Sequence, residues 1–292
     1  MSIVGKMSSL ILKKERMPAM RMTAESTKIV NGRFMAMSGG SLNQGVPLLT
    51  IIVPTFNEGN NPVILAQGVC EAMKEVSGHD FELLFIDDST DETPQLLERL
   101  SQVNPRVRVI HRENERGLGS ALVRGFQEAK GEWLAVMDGD LQHPPSLLPR
   151  MLAQAGEGID LVAPSRFIPG GSDGGLFLHR KLVSLVARGL AWLILPRTRP
   201  FSDPTGGVFM LRREVLSGWS FDGGSWKILV EVMVRGRYAK AAEIPYHFRA
   251  RDLGTSKLTA AAQIDYIRHL LRLRRIGDRN DRPSVSVKRI FS

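Results

Sequence analysis

Cysteine is almost absent from this chain of 292 residues, in which Cys70 is the only one. A single thiol excludes an internal disulfide framework and is typical of a reducing compartment. Long apolar runs are also absent, because no stretch reaches the roughly 18 apolar residues that span a bilayer. The longest candidate, Leu182–Leu195, is too short and is interrupted by Arg188. The amino end has a weak apolar core at Ser8–Leu12 but no credible signal-peptide cleavage site.

Several nucleotide- and metal-binding motifs are missing as well. The sequence has no Walker A motif, and Gly117-Leu-Gly119 is not a dinucleotide fingerprint because Leu122 occupies the last glycine position. This glycine pair predicts either a tight turn before a helix, which we favour, or a backbone anion site at the helix N-terminus. A calcium loop of the EF-hand type starting at Asp138 is excluded, since its sixth and twelfth places hold His143 and Pro149.

The net charge of +9 is concentrated at the two ends of the chain. Residues 1–46 carry seven basic and two acidic residues, residues 268–292 carry eight and two, and the middle has a net charge of −2. A nucleic-acid enzyme more usually has a basic stripe on its body. We therefore expect no specific nucleic-acid partner. Basic ends fit a tether to anionic lipid at least as well, which predicts a peripheral position on the cytoplasmic face of a membrane.

Short apolar runs alternate with amphipathic stretches, which predicts an α/β fold with a mostly parallel sheet. The first half predicts strands at Leu48–Val53, Phe81–Ile86, Arg106–Ile110 and Trp133–Met137, with helices near 62–76, 93–100 and 120–129. The second half is less regular and predicts strands at Leu161–Ala163, Val208–Leu211 and Glu243–Phe248, with helices at His179–Leu195, Ser225–Arg237 and Ile264–Ile276.

Acidic side chains follow three of the predicted strands. Glu58, Asp88 and the pair Asp138 and Asp140 all come at carboxyl ends, which share one edge of a parallel sheet. Open α/β sheets bind their ligands at that edge. Asp-x-Asp alone is common in ordinary turns, but this convergence favours a metal site. Two carboxylates and the Gln142 carbonyl suit Mg²⁺ or Mn²⁺, whereas His143 is expected to have a structural role or to support the metal ligands without binding the ion.

A set of ordered motifs over residues 48–259 resembles family 2 glycosyltransferases of the GT-A fold, which is a Rossmann-like, mostly parallel sheet flanked by helices. Some of them are similar to the motifs of dolichol- or polyprenyl-phosphate mannose synthases, although Gly206-Gly207 replaces the usual Ser-Gly. The motifs are Val53-Pro-Thr-Phe-Asn-Glu58, Asp87-Asp88, Gly117-Leu-Gly119, Asp138-Gly-Asp140-Leu-Gln142-His-Pro-Pro145, Ser165-Arg166, Ser202-Asp-Pro-Thr-Gly206, Lys227-Ile-Leu-Val-Glu231 and Arg251 through Lys257.

The resemblance implies a pocket for a nucleotide-sugar donor, GDP-mannose above all. It implies metal ligation by Asp138, Asp140 and Gln142, and Arg251 and Lys257 would clamp the donor phosphates and act in catalysis together with Asp138 and Asp140. The donor-binding residues that it implies are Pro54, Phe56, Glu58, Ile86, Asp88, Asp138, Gly139, Asp140, Arg166, Arg251 and Lys257.

The expected acceptor is a polyprenyl or dolichyl phosphate. Arg180 and Ser184 lie one helical turn apart and are candidates to bind its phosphate, although a solvated helix face is equally compatible. The Arg-rich helix Ile264–Ile276 favours a membrane surface over simple packing, whereas the face around Trp192 is expected to be core. We expect a disordered basic extension at 1–46, a single catalytic domain at 47–259, and an amphipathic helix with a basic tail at 260–292.

The sequence thus predicts an inverting, metal-dependent enzyme that forms a β-linked lipid-phosphate mannose. One alternative uses UDP-glucose with the same class of lipid. Another is a non-catalytic subunit that binds nucleotide sugar or membrane, which the complete Asp138, Asp140 and Gln142 set disfavours. A processive polysaccharide synthase is disfavoured because no Gln-x-x-Arg-Trp motif occurs. A separate membrane subunit is compatible with the sequence.

Overall fold

A computed structural model describes residues 48–74, 76, 81–155, 158–174, 178–218, 221, 227–249, 260–277 and 284–290. The predicted amino-terminal extension lies outside these residues. The strands are β1 (Leu49–Thr55), β2 (Phe81–Asp87), β3 (Val107–His111), β4 (Trp133–Val136), β5 (Leu161–Ser165), β6 (Phe209–Arg212), β7 (Lys240–Pro245) and β8 (Ser286–Arg289). The helices are α1 (Asn61–Ala72), α2 (Thr93–Val103), α3 (Leu118–Glu128), α4 (Leu147–Leu152), α5 (Leu178–Ile194), α6 (Ile228–Arg235) and α7 (Ala260–Gly277).

The eight strands form one sheet in the order β3-β2-β1-β4-β6-β5-β7-β8. All neighbours are parallel except that β6 runs antiparallel to both β4 and β5. Alternation of strands and helices along the chain gives parallel pairs because each helix carries the chain back across the sheet. The predicted α/β fold with a mostly parallel sheet flanked by helices is confirmed. Strand β8, which extends the sheet beyond residue 259, was not predicted.

Helices cover both faces of the sheet, and this explains why β1 and β2 are apolar almost throughout. One core lies under α1 and α4, and the other lies under α3 and α6. A third cluster joins α5, α6 and α7, so that α6 is packed between the sheet and the other two helices. Among the described residues, no helix has the length and hydropathy needed to cross a membrane.

The carboxyl ends of β1, β2 and β4 meet at one edge of the sheet. The backbone N–H of Asp88 donates to Thr55 O at 3.0 Å, and that of Met137 donates to Ile52 O at 3.1 Å. The loops after β2 and β4 therefore start on either side of the end of β1. Because β6 is reversed, its amino end lies at the same edge, two residues after Gly207.

Candidate active site

The loop after β4 carries Asp138 and Asp140, and both residues are partly exposed. Leu141 in this loop has a φ of 64°, a left-handed conformation that is uncommon for any residue except glycine. Such strain persists only where surrounding contacts maintain it, and it is concentrated at functional sites. One of these contacts is the hydrogen bond from the Gln142 backbone N–H to Asp140 Oδ1 at 3.1 Å. The strained turn therefore helps to fix the orientation of the Asp140 carboxylate.

Three side chains of this loop are close enough to hold one divalent cation. Ligand atoms of Asp138, Asp140 and His143 all lie within 4.8 Å of one another. His143 Nδ1 is buried without a hydrogen-bond partner among the described residues, and it lies 3.5 Å from Asp138 Oδ2. Burial lowers the pKa of His143 to about 4, so that the ring is neutral near pH 7 and one nitrogen keeps a lone pair. The two carboxylates suit Mn²⁺ or Mg²⁺, whereas a neutral imidazole is more typical of transition-metal sites.

Gln142 and His143 are both candidates for a further ligand beside the two carboxylates. The side-chain Nε2 of Gln142 donates to Arg249 O at 3.0 Å, which leaves the amide oxygen as the atom that can bind a cation. Metal ligation by Gln142 stays a prediction. The sequence favours a structural or supporting role for His143, because Mg²⁺ prefers oxygen ligands, whereas the structure makes it a candidate ligand as well. The signal that finds it is its buried, unsatisfied nitrogen.

Gly207, just before β6, lies in close contact with the Asp138 carboxylate. A β-carbon added at this position would overlap Asp138 Oδ2, whereas one added at Gly206 would meet nothing nearer than Asp203 O at 3.6 Å. The reversed direction of β6 brings Gly207 to this edge. Glycine is therefore required at position 207 if Asp138 is to keep its place.

Asp88 is buried at the end of β2 and bound by a guanidinium fork. Arg112 donates from Nε to Asp88 Oδ1 and from Nη2 to Oδ2, both at 2.7 Å. The backbone N–H of Gly117 also donates to Oδ2, at 3.1 Å. Gly117 has a φ of 122°, which glycine adopts without strain, and it directly precedes α3. The glycine turn is thus an anion site at a helix N-terminus whose anion is the protein's own Asp88.

The other predicted donor-pocket residues of this region lie in β1 or β2 or directly after β1, and they differ in their exposure to solvent. Phe56 is partly exposed, and the guanidinium of Arg116 lies 5.3 Å from its ring centroid. Glu58 Oε2 accepts a weak hydrogen bond from Asn61 Nδ2 at 3.4 Å. Ile86 is fully buried in the core between the sheet and α3, so its side chain can only support the pocket from behind. Pro54 pairs with it across the two strands.

Arg166 is held by a buried carboxylate. It donates from Nε to Asp203 Oδ2 at 2.7 Å and from Nη2 to Oδ1 at 3.0 Å. Asp203 is 1% exposed, and its charge raises the pKa of Arg166 against the cost of burial. A bidentate pair of this kind fixes both the position and the plane of the guanidinium. The motifs Ser165-Arg166 and Ser202-Asp203 are therefore joined in the fold by this ion pair.

Lys227, at the start of α6, was not assigned a site role from the sequence. Its Nζ donates to Thr205 O, and burial lowers its pKa to about 8. Arg166 lowers this pKa further, while Asp203 and Asp138 raise it. Lys227 thus adds a cation to the same electrostatic environment as Asp138.

The remaining predicted residues are not all described. Arg251 and Lys257 lie outside the described residues. Arg180 is in the first turn of α5, with its side chain outside the described part, and Ser184 is half-buried one turn later. The phosphate clamp and the acceptor pair therefore stay predictions. Gly139 packs against β1, because an added β-carbon would lie 3.3 Å from Thr55 Cγ2.

Comparison with known proteins agrees with the motif-based resemblance. The profile of "Glycosyl transferase family 2" matches residues 50–219. A dolichol-phosphate mannosyltransferase from Pyrococcus furiosus is 38% identical over 226 residues, which cover 77% of this chain and 63% of that protein. The chain thus spans less than two thirds of this relative. The Saccharomyces cerevisiae protein of the same name is 32% identical over 237 residues, 77% of this chain and 86% of the yeast protein.

Solved structures support the fold. A mannosyltransferase from Pyrobaculum calidifontis in complex with GDP-Man and Mn²⁺ superposes with a TM-score of 0.55 at 18% identity, covering 88% of this chain and 73% of that one. Glucosyl-3-phosphoglycerate synthase from Mycobacterium tuberculosis in complex with Mg²⁺ and UDP gives a TM-score of 0.58 at 18% identity, covering 88% and 85%. At these identities the likeness concerns the GT-A architecture.

Proposed function

Because this chain belongs to glycosyl transferase family 2, we propose that it transfers mannose from GDP-mannose to a dolichyl or polyprenyl phosphate. The observation that carries this proposal is the grouping of Asp138, Asp140 and His143 at the carboxyl edge of the sheet. The names of relatives that are 38% and 32% identical support the mannose donor and the lipid acceptor. The proposed product is a β-linked lipid-phosphate mannose, with GDP released.

The proposed reaction is a single displacement at the anomeric carbon of the sugar. An oxygen of the acceptor phosphate forms the new bond to this carbon as the bond to GDP breaks, with inversion. Transfer requires no strong general base, because a phosphate monoester with a second pKa near 6 is already an oxyanion at neutral pH. A divalent cation bound by Asp138, Asp140 and either His143 or Gln142 would supply positive charge for the departing diphosphate.

The protein's own cations complete the proposed site. Arg166 is oriented by Asp203, and Lys227 adds a second, partly buried positive charge near Asp138. Arg251 and Lys257 are proposed to bind the donor phosphates, and Arg180 and Ser184 to bind the acceptor phosphate. Fixed charges in a partly dry site stabilise a transition state more than they would in water.

We also propose that α5 and α7 dock on a membrane surface. Leu182, Leu185, Val186 and Leu193 are 48–70% exposed and recur at the spacing of one helix face. On α7, Ile264, Ile267 and Leu271 are 40–51% exposed. Arginines flank this apolar surface at positions 268, 272, 274 and 275. Apolar residues beside basic ones are typical of helices that lie in the interface of an anionic bilayer. This position suits an acceptor that is itself anchored in lipid.

Purified protein with one polyprenyl phosphate and either GDP-mannose or UDP-glucose tests the proposal, in Mg²⁺ or Mn²⁺. We expect turnover with GDP-mannose. Greater turnover with UDP-glucose would mean that the enzyme transfers glucose and not mannose. No reaction with either donor would overturn the synthase proposal.

Asp140→Asn separates catalysis from a scaffold role. It should abolish turnover while the far-UV circular dichroism spectrum stays unchanged, because a carboxylate is lost from the cation site but not from the core. Asp160→Asn is the matched control, since Asp160 lies at the opposite edge, before β5, and pairs with Arg212. A non-catalytic subunit would keep its binding function in both variants.

A further inference from the structure

Arg112, directly after β3, is an almost fully buried cation that makes no contact with the predicted metal site. It is 7% exposed, and its guanidinium binds both oxygens of Asp88 at 2.7 Å. The backbone reinforces this contact, because the Arg112 N–H donates to Asp87 O at 2.8 Å. Strands β2 and β3 are therefore locked together at the point where the donor pocket is proposed.

The guanidinium has no hydrogen-bond donor left for a ligand. Arg has five N–H groups in a fixed fork. Two of them bind Asp88, and a third, on Nη2, donates to Gly117 O at 3.3 Å. The two on Nη1 donate to Glu115 Oε2 at 2.8 Å and to Ser120 Oγ at 3.2 Å. Arg112 therefore acts on a donor through Asp88 and not by direct contact with phosphate.

The Asp88 carboxylate is almost fully occupied as well. An ionised carboxylate has about four lone-pair sites. Arg112 takes one on each oxygen, and the Gly117 N–H takes a second one on Oδ2. Within the described part of the chain, no group donates to the second site on Oδ1. The carboxylate is thus fixed in plane and has one acceptor site to offer.

We infer that Arg112 is a positioning residue that orients Asp88 so that Oδ1 accepts one N–H or O–H from the donor's nucleoside. This inference rests on the proposed function and on the prediction from the motifs that Asp88 belongs to the donor pocket. Lysine cannot replace Arg112, because an ammonium group makes a point contact and leaves the carboxylate free to rotate.

Calorimetric titration of GDP into Arg112→Lys in the presence of Mg²⁺ tests this inference. We expect the Kd for GDP to rise about tenfold or more, which is the loss expected for a displaced charge-assisted hydrogen bond. The KM for GDP-mannose should rise in parallel, while kcat at saturating donor changes less than about threefold. Affinity for Mn²⁺ alone should stay as in the wild type, since Asp138 and Asp140 are untouched.

Arg213→Lys is the matched control. Arg213 is also a fork, which donates to the carbonyls of Ala129 and Gly131 at the opposite edge of the sheet. It should lose stability without a change in the Kd for GDP. If both Lys variants weaken GDP binding equally, Arg112 acts only through general stability and the inference is wrong.

A double-mutant cycle with Asp88→Asn tests the proposed route through Asp88. In the Asn background, Arg112→Lys should cause no further loss of GDP affinity, because the carboxylate that Arg112 orients is gone. This comparison remains possible if Arg112→Lys alone does not fold, since the double variant leaves no unpaired buried carboxylate. A further loss in the double variant would refute the inference, as would unchanged GDP binding in folded Arg112→Lys. Wild-type protein that binds neither GDP nor UDP would overturn the proposed function itself.

Discussion

At the scale of single residues, the Asp138 carboxylate depends on a neighbour that has no side chain. A β-carbon at position 207 would clash with Asp138 Oδ2, whereas a β-carbon at the neighbouring Gly206 would make only ordinary van der Waals contacts. Alanine is therefore expected to fit at position 206 but not at position 207. Comparing the two substitutions separates a general effect on packing from a specific effect on the proposed cation site.

We predict that Gly207→Ala weakens Mn²⁺ binding by roughly tenfold or more and lowers kcat, because the added methyl group displaces Asp138. Titration calorimetry with Mn²⁺ measures the first effect. Gly206→Ala is the control, and it should behave as the wild type within about twofold. Unchanged Mn²⁺ affinity in Gly207→Ala would contradict the prediction that this glycine holds Asp138 in place for the cation.

The Arg166–Asp203 pair gives a second prediction at this scale. Asp203→Asn leaves a buried guanidinium without its counter-charge, and removing one partner of a buried pair costs about 3–5 kcal/mol. We expect the free energy of unfolding to fall by about that amount in urea denaturation. Asp265→Asn, which breaks an exposed pair with Arg268, should cost less than about 1 kcal/mol. A small effect at Asp203 would mean that water replaces the lost carboxylate.

Side-chain partners were the least predictable feature of the site. Asp138 and Asp140 were found from the sequence because they follow an apolar strand at fixed spacing. Arg112 and Asp88 are 24 residues apart, and Arg166 and Asp203 are 37 apart. No local pattern marks such pairs, because they form only when the sheet brings the strand ends together.

At the scale of elements, α5 presents two different faces. Ala187, Ala191 and Leu195 are buried against α6 and α7, whereas Leu182, Leu185 and Leu193 remain exposed. The predicted helix His179–Leu195 matches α5 within one residue at each end. The expectation that the surface around Trp192 is core holds only for the buried face of α5. The 3.6-residue period indicates that one face of the helix is buried, but it does not indicate whether the apolar residues of the opposite face are covered.

We predict that Leu185→Glu and Ile267→Glu each reduce binding to phosphatidylglycerol vesicles by about tenfold or more. A charge replaces an apolar side chain that would enter the interface. Val103→Glu is the control, since Val103 is 78% exposed on α2, in a different part of the fold. Sedimentation with vesicles measures the bound fraction. Equal binding of all three variants would contradict docking through α5 and α7.

At the scale of the whole molecule, the sheet continues past the predicted end of the catalytic domain. β8 pairs with β7, and Arg289 Nε donates to the fully buried Glu243 at 3.3 Å. The same carboxylate accepts from the Ser202 N–H and hydroxyl, both at 2.8 Å. β8 was not predicted because it has only four residues, two of them charged, and therefore shows no apolar run. Its sequence instead resembles the charged edge strands that resist aggregation.

Deletion of residues 284–292 should lower the midpoint of thermal unfolding by several degrees and promote aggregation, because it bares the edge of β7. Arg289→Ala removes the counter-charge of Glu243 and a hydrogen bond to Pro200 O but keeps the strand, and we expect a smaller loss, of about 1 kcal/mol. Lys288→Ala is the control, since Lys288 is an exposed residue of the same strand. Differential scanning calorimetry compares the three. A deletion with wild-type stability would show that β8 is dispensable.

Two hydrogen bonds run from α5 to the segment that carries Asp203. Trp192 Nε1 donates to Phe201 O at 3.0 Å, and Arg188 Nη1 reaches Ser202 O at 3.4 Å. A helix that tilts when it settles on lipid would therefore pull on the carbonyls just ahead of the carboxylate that orients Arg166. Adding vesicles would then change the turnover number of the enzyme even for a short, water-dispersed acceptor.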